Sequence, residues 1–103
     1  MALSIVQYTT GLLIDQDFLK RIKNDYPNLI IIGDGTQFLG AHEFHFDNSP
    51  FDMVIGSGYK WLLAGFGNGI LMISESLRAK LDLSLKKMRE RFFQGHFNIL
   101  GIA

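Results

Sequence analysis

The nine residues LIIIGDGTQ at positions 29–37 decide the fold. Leu29, Ile30, Ile31 and Ile32 are apolar on both alternating faces, and three of the four are β-branched. A strand of this kind buries both faces, the condition of a parallel sheet with helices packed over it. Gly33, Asp34 and Gly35 then end the run and open a polar turn that continues into Thr36 and Gln37. In open α/β sheets ligands collect at the carboxyl ends of the strands, so this turn stands where a site is built.

Toward the amino terminus, Asp15 is placed to cap a helix whose apolar positions Phe18, Leu19, Ile22 and Tyr26 recur at near-helical spacing, with Pro27 as its stop. Before it, LSIVQY at 3–8 reads as a strand ended by Thr9, Thr10 and Gly11. Toward the carboxyl terminus, DMVIG at 52–56 and GILMI at 69–73 are two more short apolar strands framed by glycines. The order strand, helix, strand, then further strands predicts an α/β sheet. Past Ser74, the residues Leu77, Leu81, Leu85, Met88 and Phe92 fit a helical stripe, whereas Leu81, Leu83 and Leu85 alternate as in a strand. A helix is expected near 75–80, with both periods open beyond it. The stretch 95–103 is apolar and ends without a polar tail, an odd place for a domain to stop.

The 103 residues are enough for one domain, 1–103, and 48% apolar content with 19% charge excludes intrinsic disorder. Ten basic and ten acidic side chains cancel. That balance argues against the basic surface of a nucleic-acid or anionic-membrane binder. The absence of cysteine excludes a disulfide framework, a thiolate nucleophile and a thiolate metal site within these residues. No apolar run reaches the roughly 18 residues of a membrane span, and no signal peptide is evident, so a cytoplasmic protein is expected.

Three strand ends supply polar groups to one rim: Thr9 and Thr10 after the first, Asp34 and Gln37 after the second, Ser57, Tyr59 and Lys60 after the third. Taken singly each has an ordinary reading. Asp34 between glycines is a turn former and Ser57 can bond its own turn. Lys60 beside Tyr59, Trp61 and Leu62 is expected to be partly desolvated, which favours nucleophilic chemistry. The glycines of GFGNG at 65–69 match neither GxGxxG nor the P-loop. His42, Glu43, His45 and Asp47 lack the HExxH spacing, and no metal site is expected.

Jointly, DGTQ at 34–37, Asp52, SGYKW at 57–61 and the glycines leading into the last strand resemble the cofactor-binding core of fold type I pyridoxal-phosphate enzymes. More narrowly they are similar to the class V aminotransferase family, which includes cysteine desulfurases, selenocysteine lyases and kynureninases. That family carries an Asp-x-x-Gln at one strand end and a Ser-x-(His/Tyr)-Lys about two dozen residues later. The resemblance covers residues 3 to about 73. It implies that Lys60 carries pyridoxal 5'-phosphate as a Schiff base, that a buried Asp34 pairs with the ring nitrogen, that Gln37 bonds the phenolic oxygen and that Ser57 bonds the phosphate. Tyr59 and, by a looser match, Thr10 complete the cofactor-binding set. Tyr59 in place of the commoner His is closer to the kynureninase-like branch than to the desulfurases. Phe93, Gln94, Gly95, His96, Phe97 and Asn98 resemble a segment near the family's substrate pocket.

The fold so implied is part of a fold type I large domain, a mostly parallel sheet with flanking helices. Complete family members are several-fold longer, and the amino-terminal segment, the small domain and a carboxylate-binding arginine have no counterpart here. The implied activity is transamination or a related Cα reaction on an amino acid, with a 2-oxo acid as co-substrate where an amino group is transferred, in a cytoplasmic homodimer. The residues also admit a non-catalytic, self-associating module built on an uncovered sheet edge, and a phosphate-binding domain using 65–69 and Lys60.

Overall fold

The computed structural model describes residues 1–92. Strands β1 (Ala2–Ser4), β2 (Ile32–Asp34), β3 (Met53–Ser57) and β4 (Gly69–Ile73) form one sheet in chain order, β1-β2-β3-β4. The first three are parallel and β4 runs antiparallel to β3. Helix α1 (Gln16–Asp25) provides the crossover from β1 to β2, and α2 (Glu75–Phe92) follows β4. Between β2 and β3 the crossover is irregular, with one 3-10 turn at Phe46–Asn48. This is the expected α/β architecture, with a mostly parallel sheet.

Helix α1 begins as its sequence requires. The Asp15 side chain accepts from the amides of Asp17 and Phe18 at 2.9 and 3.0 Å, satisfying two donors that have no partner within the helix. The expected apolar stripe, however, divides. Leu19 is buried, Ile22 is half-buried, and Phe18 and Tyr26 are exposed. The four positions span an arc of about 100°, with Phe18 at one edge and Leu19 at the other; the core covers the Leu19 edge, and Tyr26 lies past the last helical residue as the C-cap.

The expected strand at 3–8 is corrected to β1 at Ala2–Ser4, because residues 5–7 turn to pair with 12–14. Ile14 donates to the Ile5 carbonyl and Gln7 to that of Leu12, both at 2.9 Å. The apolar run 29–32 likewise precedes most of its strand. Ile31 is fully buried, but its amide bonds to Asp52 Oδ2 at 2.8 Å instead of entering the ladder. Pairing therefore begins at Ile32 and runs through Gly33 and Asp34. A Cβ at Gly33 would meet Ile5 and Phe51 side chains at 3.0 Å, so glycine allows this strand to lie under the core. The third strand is shifted by one residue from 52–56, and β4 occupies its expected positions.

The register row Leu3, Gly33, Val54, Met72 faces the core, where Ile5, Leu19, Ile31, Phe38, Leu39, Phe51 and Val54 pack together. The alternate row Ser4, Asp34, Ile55, Leu71 points to the opposite face. There Ile55 and Leu71 are 43% and 51% exposed, so burial is one-sided where the apolar run at 29–32 predicts two covered faces. After β4, Ser74 Oγ accepts from the Leu77 amide at 3.3 Å and starts α2. That helix absorbs Leu81, Leu83 and Leu85, which removes the strand alternative. Among the described residues no helix is long and apolar enough to cross a membrane. The tail motif at 93–98 and the apolar stretch 95–103 lie outside the described residues.

Candidate functional site

Three parallel strands present their carboxyl ends on one side of the sheet, and the loop after each contributes to a shared rim. The loop after β1 is a closed turn. Gly11, at φ +69°, donates to the Gln7 carbonyl at 2.8 Å, while the Gln7 side-chain oxygen accepts from the Thr9 amide and hydroxyl at 2.7 and 2.9 Å. Thr10 Oγ1 accepts from the Leu12 amide at 3.3 Å, so this hydroxyl works within its own turn. Tyr8 stands in that turn 74% exposed, where burial gives no reason for an aromatic residue.

The loop after β2 starts with Asp34, whose Oδ1 accepts from the Thr36 amide at 3.0 Å, a local turn that leaves the other carboxylate oxygen without a bond among the described residues. Asp34 is exposed, in contrast to the buried carboxylate that the resemblance implies. The cause is the pleat: Asp34 shares the outward row with Ile55 and Leu71 and not the core row. Gln37 follows, half-buried. Phe38 and Leu39 then fold under the sheet, their amides donating to the Gly35 carbonyl at 2.9 and 2.8 Å.

The third loop carries Lys60. Its neck is fastened twice, by the Gly58 amide on the Asn68 carbonyl and the Ala64 amide on the Gly58 carbonyl, both at 2.8 Å. Within it, Leu63 donates to the Lys60 carbonyl at 3.1 Å and adopts a left-handed φ of 53°. The Tyr59 ring stacks on Phe66 at 5.5 Å with 20° between planes. Lys60 is half-buried, and its Nζ lies 5.4 Å from the Tyr8 ring centroid and 5.5 Å from that of Tyr59. Both distances are within the range of a cation–π contact. Of the expected neighbours, Tyr59 stands beside the amine, and Tyr59 and Trp61 are themselves 46% and 57% exposed.

Two cross-loop contacts assemble the rim. The Ser57 amide donates to Thr36 Oγ1 at 3.2 Å, tying the end of β3 to the turn after β2. Gly40, at φ +87°, lets its turn press on the loop that carries Lys60: a Cβ there would lie 2.8 Å from the Trp61 carbonyl carbon and oxygen. Gly40→Ala is therefore expected to lower stability by about 2 kcal/mol through strain at a left-handed residue. The fluorescence of Trp61, the sole tryptophan, should shift with it. Unchanged fluorescence and an unchanged urea midpoint would show that the two loops are not pressed together.

The expected set thus divides. Asp34, Ser57, Tyr59 and Lys60 share the rim, Gln37 sits half-buried in its second turn, and Thr10 is engaged locally. Thr36 and Tyr8 were not singled out by sequence. Thr36 lies inside the DGTQ motif, so its position carried a signal, whereas nothing near Tyr8 in the chain announces its contact with Lys60. The His42 ring stacks on Phe38 at 5.1 Å, and the exposed His45 bonds Glu43 at 3.0 Å. Among the described residues, no three His, Asp or Glu side chains are grouped to hold a metal. Asp52 belongs elsewhere: it pairs with Lys23 at the opposite end of β3, away from the rim. No family model matches the chain, and no curated protein matches it.

Proposed function

We propose that this chain is the cofactor-binding core of a pyridoxal-phosphate enzyme of the class V aminotransferase type, acting on an amino acid through Lys60. The observation that supports it most is Lys60, half-buried, with its Nζ 5.4 and 5.5 Å from the Tyr8 and Tyr59 ring centroids, in a loop at the strand-end rim that also carries Asp34 and Ser57. The donor set suits the group. An amine is available for an aldehyde, a carboxylate oxygen for a protonated ring nitrogen, a side-chain amide for a phenolic oxygen, and a hydroxyl with loop amides for a phosphate.

When bound, pyridoxal phosphate supplies an electron sink for charge developing at the substrate Cα. The remaining work falls to the chain. Lys60 Nζ would hold the aldehyde, and the same amine, when free, would take and return a proton at the substrate Cα. Asp34 would keep a proton on the ring nitrogen, for which its second oxygen is available. Gln37 would donate to the phenolic oxygen, and Ser57 to the phosphate. Tyr59 stands beside the Lys60 amine, whereas the Thr10 hydroxyl is engaged within its own turn by the Leu12 amide. In this reading the enzyme is a cytoplasmic homodimer whose substrates are an amino acid and, for amino transfer, a 2-oxo acid.

The test is an absorption titration of the purified chain with pyridoxal phosphate, beside Lys60→Ala. We expect a band at the edge of the visible range in the parent, lost in Lys60→Ala, and a borohydride-fixed mass increment on the peptide containing Lys60. Asp34→Ala should weaken the band with little loss of stability, because this carboxylate is exposed. A parent without the band would end the proposal for this chain.

The outward row favours one second reading, a self-associating module without catalysis, because Ile55 and Leu71 leave apolar surface open beside the edge strand β4. Tight association that persists in Lys60→Ala, with no band in the parent, would decide for it.

A further inference from the structure

Lys60 is a long, flexible side chain, and such a chain attacks an aldehyde efficiently only if its amine is held where the aldehyde arrives. Two rings restrict it. Tyr59 is its sequence neighbour and is itself fixed by stacking on Phe66. Tyr8 comes from a different loop, a turn closed by the Gln7, Thr9, Gly11 and Leu12 hydrogen bonds and by the bridge between Val6 and Leu13. The turn is rigid beneath an aromatic ring that is largely open to solvent, and the ring meets the Lys60 ammonium at 5.4 Å.

We infer that Tyr8 is a positioning residue for Lys60: its ring face, not its hydroxyl, holds the amine at the rim. The inference rests on the proposed role of Lys60 and adds to it a residue outside the motifs that suggested that role. A ring face attracts the ammonium, which by itself would slow attack by the neutral amine, while confinement of the chain speeds it. The sign of the rate change therefore separates positioning from simple charge stabilisation.

The experiment compares the parent with Tyr8→Phe and Tyr8→Leu in two ways. The first needs no cofactor: the NMR shift of the Lys60 ε-methylene, displaced upfield by ring currents, is expected to be retained in Tyr8→Phe and to move toward the value of a free lysine in Tyr8→Leu. The second is the rate at which the Lys60-dependent band appears on adding pyridoxal phosphate. We expect a loss of about two- to fivefold in Tyr8→Leu, the scale of the side-chain freedom that one ring contact restricts, and recovery in Tyr8→Phe. An ε-methylene shift that Tyr8→Leu leaves unchanged overturns the inference, as does faster attachment in that variant. A loss in Tyr8→Phe equal to that in Tyr8→Leu overturns the role of the ring face. Absence of the band in the parent overturns the function of Lys60 and the positioning role with it, while the ε-methylene shift still reports whether the contact exists.

Discussion

Asp52→Ala is expected to destabilise the protein by about 3 kcal/mol, a large share of what a domain of this size possesses. One carboxylate oxygen of Asp52 receives both the Ile31 amide and the Lys23 ammonium, and Lys23 also donates to the Leu29 carbonyl at 2.6 Å. The side chains of Lys23 and Asp52 are only 27% and 13% exposed. Alanine would leave a charged group with little water around it and strip a fully buried residue's amide of its acceptor. Lys23→Met should do less harm, because Asp52 keeps the Ile31 amide. Urea unfolding checks the pair: the midpoint should fall at unchanged slope, and more for Asp52→Ala than for Lys23→Met. Equal losses would mean that the Ile31 amide contributes nothing.

Leu19→Ala is expected to lower stability by about 3 to 4 kcal/mol, the range for emptying a close-packed site. Leu19 is 2% exposed and is the one buried residue of α1, so it is the main attachment of that helix to the sheet. Phe18→Ala and Tyr26→Ala, at 48% and 66% exposure, should each change stability by less than about 1 kcal/mol. A Phe18→Ala loss as large as that of Leu19→Ala would place a different face of α1 against the core.

Much of this was legible in the chain because local chemistry announces it. Asp15 and Pro27 bracket α1, the glycines around GILMI frame β4, and the order of elements leads to a mostly parallel sheet. The rim followed from the same reasoning, since residues after parallel strands share one side. Boundaries were less legible where an apolar residue is buried without joining the ladder. Ile31 is such a residue, diverted by Asp52, and its apolar neighbours gave no sign that pairing begins at Ile32. The exposure of Asp34 depends on which pleat it occupies, and a shift of β2 along its partners exchanges the two faces. The pair of Lys23 with Asp52, the bond from Ser57 to Thr36 and the ring of Tyr8 over Lys60 join residues far apart in the chain. No local period encodes such contacts, so only the folded chain reveals them.

The strand order β1-β2-β3-β4 has a consequence for biosynthesis. Each strand pairs with the one made just before it, so the sheet can grow from the ribosome in the order of translation, without waiting for a distant partner. The loop bearing Lys60 is the exception within this order. Its neck closes on Asn68, and its outgoing strand is β4, so the amine takes its place only after residues 69–73 have emerged. Nascent chains arrested before that point would hold the Tyr8 turn and the Asp34 turn in place, with Lys60 still untethered.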